Sequence, residues 1–129
     1  MNKILVEVSV GELLDKISIL EIKKEKIKDL EKLNFINDEH SILKEQLDKN
    51  VTSDDKLQSL FQSLKEINAK LWVIEDNKRL CEKNSDFAEN FIKLSRDVHF
   101  LNDDRAKIKL EMNNHSGSKI KEIKEYTSY

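Results

Sequence analysis

The sequence predicts an all-α protein, an antiparallel helical bundle of three long helices and one short helix, and three observations predict it. The chain of 129 residues contains no proline and only two glycines, so little in it interrupts a helix. Charged residues make up 37% of the chain and aromatic residues 6%, a balance typical of long solvated helices and unlike that of a β-sandwich or barrel. Apolar residues also recur at alternating steps of three and four, which places them along one stripe of a helix.

The length corresponds to a single domain, 1–129, in which 1–10 is an N-terminal arm and 118–129 is a charged C-terminal tail. In the arm, Ile4, Val6 and Val8 alternate with other residues, and this period of two predicts a short strand or an extended arm with one buried face. A buried strand must pair its backbone groups. We therefore expect pairing with the tail or with a second copy of the chain, or an arm that lies over the bundle in water.

The first half of the chain predicts two helices of unequal length. Ser9 and Glu12 have the spacing of a capping box, so helix 1 begins there, and we expect it to run to about Leu33. A break at 34–37 is followed by a short helix 2. The most loop-like stretch of the chain, 50–55, then precedes helix 3.

Helices 3 and 4 carry long apolar stripes of the kind found in coiled coils. The stripe of helix 3 contains Leu57, Leu60, Leu64, Ile67, Leu71, Ile74 and Cys81. The stripe of helix 4 contains Phe87, Phe91, Leu94, Val98, Leu101, Ile108 and Met112, with Arg105 in its one vacant position. The connection at 83–86 is short, so the two helices are predicted to be antiparallel neighbours. Their register should place Arg96 opposite Glu75 and Arg105 opposite Glu66.

Charge and cysteine content exclude several classes of protein. Twenty-three basic and twenty-five acidic residues give a net charge of −2, so no overall field attracts nucleic acid or an anionic membrane, and neither is expected as a partner. The single Cys81 cannot form an intramolecular disulfide. The chain also contains no signal-like or membrane-spanning apolar run. We therefore expect a soluble, cytoplasmic protein.

Polar residues on or beside the apolar stripes are the candidates for a binding site. They are Glu21 and Lys24 on helix 1, Glu75 and Arg79 on helix 3, and Asn102 and Arg105 on helix 4. Because charged side chains are seldom buried unless they are paired, these residues should form one polar cluster if the three helices meet. The cluster could hold a small carboxylate or phosphate through arginine, with Glu75 or Glu21 as a base. Alternatively it is an ion-pair network that fixes the helix register, and we prefer this second interpretation.

Other chemistries find little support in the sequence. His99 and Asp103 share a helix face, but a metal site needs three or four converging ligands, and the Glu-x-x-His pairs of di-iron bundles are absent. Cys81 lies on an apolar stripe without a neighbouring histidine. We therefore assign no catalytic residue, no metal and no cofactor.

Four segments resemble a known family. They are VSVGELLDK (8–16), LEIK (20–23), WVIED (72–76) and NDDRA (102–106). Together they are similar to the pattern of a small, uncharacterised, all-helical family of bacterial and phage proteins, a domain of unknown function. The resemblance spans nearly the whole chain, and it implies a helical fold but assigns neither a reaction nor site residues.

Two hypotheses of function follow. The first is a non-enzymatic helical interaction or scaffold module that self-associates as a homo-oligomer, with a dimer favoured, because the apolar stripes are wider than two helices can cover. The alternative is a small enzyme or binding protein that holds an anionic metabolite in the polar cluster. The sequence favours the first and assigns no biological role to either.

Overall fold

The computed structural model describes residues 3–129, and four α-helices make up most of them. The helices are α1 (Val10–Lys26), α2 (Leu30–Asn50), α3 (Asp55–Lys83) and α4 (Glu89–Ser116). The prediction of an all-α protein is confirmed. The lengths differ from those expected, because α2 has 21 residues and is longer than α1, which has 17.

The predicted N-terminal strand does not form in the described part of the arm. Residues 3–9 have no regular secondary structure, and the side chains of Ile4, Leu5 and Val6 are between 74% and 90% exposed. Within residues 3–129 no second strand lies beside this segment, so its backbone groups remain free to bind water. Met1 and Asn2, where the predicted arm begins, lie outside the described residues.

The break between α1 and α2 lies earlier than the sequence predicted. Helix α1 ends at Lys26, Ile27 is extended, and the carboxylate of Asp29 caps α2 by accepting a hydrogen bond from the Lys32 amide at 3.1 Å. Residues 34–37, the predicted break, lie inside α2. The polar residues of that segment are exposed on the surface of α2. In that position they destabilise a helix only slightly, so the helix continues through them.

Helix α1 is the centre of the molecule. It packs against each of the other three helices, and α3 packs against α4, whereas within residues 3–129 α2 packs only against α1. A hydrophobic core joins α1, α3 and α4 through Leu14, Leu57, Leu64 and Met112. Eight of the 17 residues of α1 are buried, compared with four of the 29 in α3, so α1 supplies a large share of the core.

The C-terminal tail returns along α4 without forming a helix. Gly117 ends α4 in the left-handed conformation, with φ of 67°, which glycine adopts at little cost. Beyond it, Lys121 donates a hydrogen bond to Asn114 at 2.7 Å. The Tyr129 hydroxyl donates to Asp103, near the middle of α4. The Tyr129 ring also packs edge-on against His99 and Phe100. The tail is therefore held by polar contacts and by this aromatic packing, and most of its side chains are exposed.

Candidate functional site

The first turn of α1 lies directly against the last turns of α4. A Cβ atom at position 11 would lie 2.6 Å from the backbone oxygen of Lys109, so only glycine permits this approach. The Gly11 amide donates a hydrogen bond to Asn113 Oδ1 at 2.7 Å, and the Val10 amide donates to Ser118 Oγ at 3.3 Å. The free amides that begin a helix are thus satisfied by side chains of α4 and the tail.

One turn further along α1, Asp15 is 2% exposed and is surrounded by donors. Its carboxylate accepts hydrogen bonds from Nε of Arg105 at 3.0 Å and from Nη2 of the same guanidinium. It also accepts one from the Asn68 amide at 2.8 Å, and Asn68 donates a second to Ser18 Oγ at 2.8 Å. Asp15 therefore joins α1 to both α3 and α4.

Lys109 extends this group toward the tail. Its buried ammonium pairs with Glu12 at 2.8 Å and with Glu122 at 3.0 Å, and it lies 3.5 Å from Asp15. Arg105 makes one further hydrogen bond, a long one of 3.4 Å to Asn102. We call this set the polar core; its members are Glu12, Asp15, Ser18, Asn68, Asn102, Arg105, Lys109 and Glu122.

The polar core stabilises the charged forms of Asp15, Arg105 and Lys109. Burial alone would raise the pKa of Asp15, but hydrogen bonds from Arg105 and Asn68, with the charges of Arg105 and Lys109, outweigh it and hold that pKa below its ordinary value. Burial likewise opposes ionisation of Arg105 and Lys109, yet their carboxylate partners raise both pKa values. Each of the two cations thus has at least one carboxylate partner.

The structure brings two of the six predicted site residues together. Arg105 and Asn102 belong to the polar core, whereas Glu75 and Arg79 are exposed on the second half of α3. Lys24 is half-buried and forms no ion pair with any residue from 3 to 129.

Glu21, the sixth predicted residue, belongs to a separate group between α1, α2 and α3. Its carboxylate lies 3.3 Å from the Lys65 ammonium, which also pairs with Glu25 at 3.1 Å. His40 of α2 is nearby, with Nε2 3.7 Å from Glu21. This group shares no ion pair with the polar core.

Within residues 3–129, the predicted ion pairs of Arg105 with Glu66 and of Arg96 with Glu75 do not form. Arg105 pairs with Asp15 of α1, and Glu66 is exposed. Arg96 lies 6.0 Å from the centre of the Phe100 ring rather than on Glu75. The reason is that Asp15 is buried and needs a cation, whereas a surface glutamate is already solvated.

Sequence reasoning missed Asp15 because it searched for charges on the main apolar stripes. A second stripe was available on α1, since Gly11, Asp15, Ser18 and Ile22 follow steps of four, three and four, and all four are buried. A stripe of small and polar residues at helical spacing indicates close approach of a neighbouring helix. Lys109 gave no comparable signal, because it lies beside the apolar stripe of α4.

Chemically, the polar core is suited to holding helices in register. Its two cations are paired with three carboxylates, those of Glu12, Asp15 and Glu122. It contains neither a thiol nor an imidazole that could act as a nucleophile or base. Within residues 3–129, no group of three or more His, Cys, Asp or Glu side chains is placed to hold a metal ion. In the same range, no helix has both the length and the apolar character needed to cross a bilayer.

Comparison with known proteins places the chain in a family. No curated protein and no solved structure matches it significantly. One family model, described as a family of unknown function (DUF6165), matches residues 4–129. Since this match covers nearly the whole chain, the protein belongs to that family of unknown function, DUF6165.

Proposed function

We propose that the protein is a non-enzymatic helical interaction module that self-associates as a dimer in the cytoplasm. The single observation that carries this proposal is an apolar groove on the part of the α3–α4 pair that, among the described residues, makes no hydrogen bond or ion pair with α1. We call that part, residues 69–101, the distal hairpin.

The distal hairpin has few buried residues, although the ring of Tyr129 in the tail packs edge-on against His99 and Phe100, with ring centres 5.2 Å and 5.3 Å apart. Of its residues, only Cys81 and Leu94 are buried. Among the described residues, no hydrogen bond or ion pair links it to α1 or α2, since the last such links on α3 are those of Lys65 and Asn68. At 1.5 Å per residue, α1 is about 25 Å long and α3 about 43 Å, so α1 is too short to cover all of α3.

The groove runs between α3 and α4 on this hairpin, with a volume of about 620 Å³. Its apolar lining consists of Ala69, Val73, Ile74, Phe100 and Leu101, and its charged residues are Lys70 and Asp97. Val73 and Phe100 remain substantially exposed. An apolar surface of this kind costs free energy in water, and burying it against another helix recovers that free energy.

The charges of the groove favour a second copy of the chain as its partner. We infer that α3 and α4 are antiparallel, which is supported by a contact of His115 with Asp54 at one end and of Asn90 with Cys81 at the other. The groove then carries one cation and one anion along its length. A two-fold arrangement can place Lys70 of one copy against Asp97 of the other while the apolar residues meet in a four-helix bundle.

The alternative function, binding of an anionic metabolite by the polar core, is less well supported by the geometry. Both nitrogens that Arg105 presents to α1 are engaged by Asp15, and Lys109 is shared between carboxylates. An anionic ligand would have to displace one of these carboxylates or bind Nη1 of Arg105, and in either position it would lie beside the remaining carboxylates. We therefore assign the polar core to stability and the distal hairpin to function.

The test is the oligomeric state of the full chain, measured by light scattering coupled to size exclusion and by sedimentation equilibrium. We expect a dimer at micromolar concentration that dissociates on dilution. Phe100→Asp should give a monomer with unchanged helix content, because a charge in the groove cannot be buried between two copies.

Leu110→Asp is the matched control, because Leu110 lies on the same helix outside the groove and is 39% exposed, as is Phe100. This variant should remain dimeric. A monomeric wild-type chain at high micromolar concentration would refute the proposal, as would equal effects of the two substitutions.

A further inference from the structure

The C-terminal tail reaches the distal hairpin and places an aromatic ring beside its groove. The ring centre of Tyr129 lies 5.3 Å from that of Phe100 and 5.2 Å from that of His99, and both pairs meet edge to face. The Tyr129 hydroxyl donates a hydrogen bond to Asp103. Since Phe100 also lines the groove, the tail touches the surface on which we base self-association. We call the rings of His99, Phe100 and Tyr129 the aromatic rim.

Polar contacts along α4 guide the tail to this position. Lys121 donates a hydrogen bond to Asn114 at 2.7 Å, and Glu122 pairs with the buried ammonium of Lys109 at 3.0 Å. From position 109 to position 103, α4 rises by about 9 Å, whereas the tail from position 122 to position 129 can span up to about 23 Å. The tail is therefore anchored on α4 and long enough to deliver Tyr129 without being fully extended.

Tyr129 packs on the flank of Phe100 that faces away from the groove. Asp97, which lines the groove, lies about 60° to one side of Phe100 around the axis of α4. Asp103 and His99, which contact Tyr129, lie about 60° and about 100° to the other side. Tyr129 itself is not among the groove-lining residues. The tail thus supports the Phe100 ring and leaves free the space that a second copy would enter.

The ring of Tyr129 is covered only slightly by its own chain. The residue is 76% exposed, although its ring touches two others. Tyrosine is enriched in interfaces between proteins, because its large ring adds apolar contact area while little side-chain freedom is lost. A helix of a second copy that packs on the groove against Phe100 would lie beside the exposed face of Tyr129.

We propose that Tyr129 belongs to the surface through which two copies of the chain associate, an inference that rests on the self-association proposed above. Tyr129 is a positioning residue for Phe100, which it holds from the flank opposite the groove. Its exposed face also forms an edge of the interface. In a two-fold dimer both contributions occur twice, once from each copy.

The test is the dissociation constant of the dimer, measured by sedimentation equilibrium of the full chain. We expect Tyr129→Ala to raise it about tenfold, because an aromatic contact is lost from each copy. Tyr126→Ala is the matched control, since Tyr126 lies on the same tail, is also 76% exposed and forms no aromatic pair within residues 3–129. It should leave the dissociation constant within about twofold of wild type.

Urea unfolding under conditions in which both proteins are monomeric separates the interface from the fold. Tyr129→Ala should keep the urea midpoint of wild type, because the ring is largely exposed in the single chain. A lowered midpoint would overturn the assignment to the interface. So would an unchanged dissociation constant in a dimeric wild type, while self-association would stand. A tighter Tyr129→Ala dimer would also overturn it, because the tail would then compete with the second copy for Phe100. A monomeric wild type would overturn self-association and this inference together.

Discussion

The carboxylate of Asp15 connects three helices, and its ionised form is the one the fold requires. Arg105 of α4 and Asn68 of α3 both donate to it, and Lys109 of α4 lies within 3.5 Å. A buried ion pair of this kind contributes little net free energy compared with an apolar pair, because its members must first lose water. Removing only one partner is costly, because the other charge is then left without compensation. We therefore infer that Asp15 and its partners chiefly determine which helices pack together and in which register.

Also at the residue scale, we expect the free energy of unfolding to decrease in acid, and part of that decrease should come from protonation of Asp15. The pKa of Asp15 is lower in the folded protein than the ordinary value of an aspartate, so the unfolded state takes up the proton first as pH falls. The contribution of Asp15 is complete above the unfolded pKa, and it is lost as pH falls through the folded pKa. Urea unfolding of wild type and Asp15→Asn between about pH 7 and pH 2 measures it.

We expect Asp15→Asn to cost about 2–3 kcal/mol at neutral pH, at the low end for a broken buried pair because part of Arg105 is exposed to water. The difference between the two proteins should narrow below about pH 4, as wild-type Asp15 becomes protonated and comes to resemble asparagine. A difference that stays constant into strong acid would show that the carboxylate charge is not what stabilises the fold.

How far single residues could be predicted depends on whether they interrupt a visible pattern. Arg105 was identified because it occupies a position on the apolar stripe of α4, and the structure places it in the polar core. Its partner was not identified. The prediction paired Glu66 with Arg105 and Glu75 with Arg96 as if α3 alone faced α4, whereas α1 also packs against α4 and supplies Asp15 to Arg105. A single sequence shows which charges need partners but does not say which helix supplies them.

At the scale of elements, the stripes of α3 and α4 were sufficient to predict both helices, because each extends over many turns with a single polar residue in it. The boundary between α1 and α2 was not predictable in the same way. Asp29 and the polar residues at 34–37 could each mark the end of one helix and the start of the next, and apolar residues continue on both sides of each position. Tertiary contacts decide where α1 ends and α2 begins. Leu13 and Leu20 of α1 are buried, and the chain must turn at Asp29 so that α2 can pack against α1.

The close approach of α1 to α4 predicts an unusual effect of alanine at position 11. In an exposed helix, Gly→Ala stabilises by about 1 kcal/mol. Here the added Cβ would lie 2.6 Å from the Lys109 backbone oxygen and 3.0 Å from Asn113 Oδ1, so α1 must move away from α4. We expect Gly11→Ala to destabilise the protein by about 2 kcal/mol, the usual cost of overpacking, measured by urea unfolding.

Gly117→Ala is the comparison for this prediction. At that position nothing lies within 4 Å of the added atom, and the left-handed φ of 67° is the sole source of strain. It should cost about 1 kcal/mol. If Gly11→Ala were neutral or stabilising, the contact between the helices would be looser than the structure shows.

At the scale of the whole molecule, the other helices bury some parts of α3 and leave other parts exposed. The composition of the chain could not predict this difference. The absence of proline and the high content of charged residues predicted an all-α protein, but they say nothing of how far each helix extends beyond its neighbours. That depends on where α1 ends. Because α1 ends at Lys26, the buried residues of α3 become sparse after Asn68. The distal hairpin follows from this difference in length, and so does the groove on which we base self-association.

If two copies meet at the groove with two-fold symmetry, the dimer should depend on the charges of Lys70 and Asp97. A nonspecific apolar contact would not show this dependence. Lys70→Glu and Asp97→Lys should each weaken the dimer, and the double variant should restore it, because exchanging the two charges recreates both contacts between the copies. A two-fold dimer contains the pair twice, so each single reversal should raise the dissociation constant roughly tenfold. Sedimentation equilibrium of the three variants at low salt measures these constants.

Lys107→Glu provides the matched control, since Lys107 is exposed on α4 outside the groove and the substitution changes the net charge by the same amount as Lys70→Glu. It should leave the dissociation constant within about twofold of wild type, because isolated surface charges contribute little. Asp97 also pairs with Lys93 within its own helix at 2.9 Å, so helix content must be checked in both variants at that position. A double variant as weak as the product of the single effects would mean that Lys70 and Asp97 do not face each other, and self-association would then require a different surface.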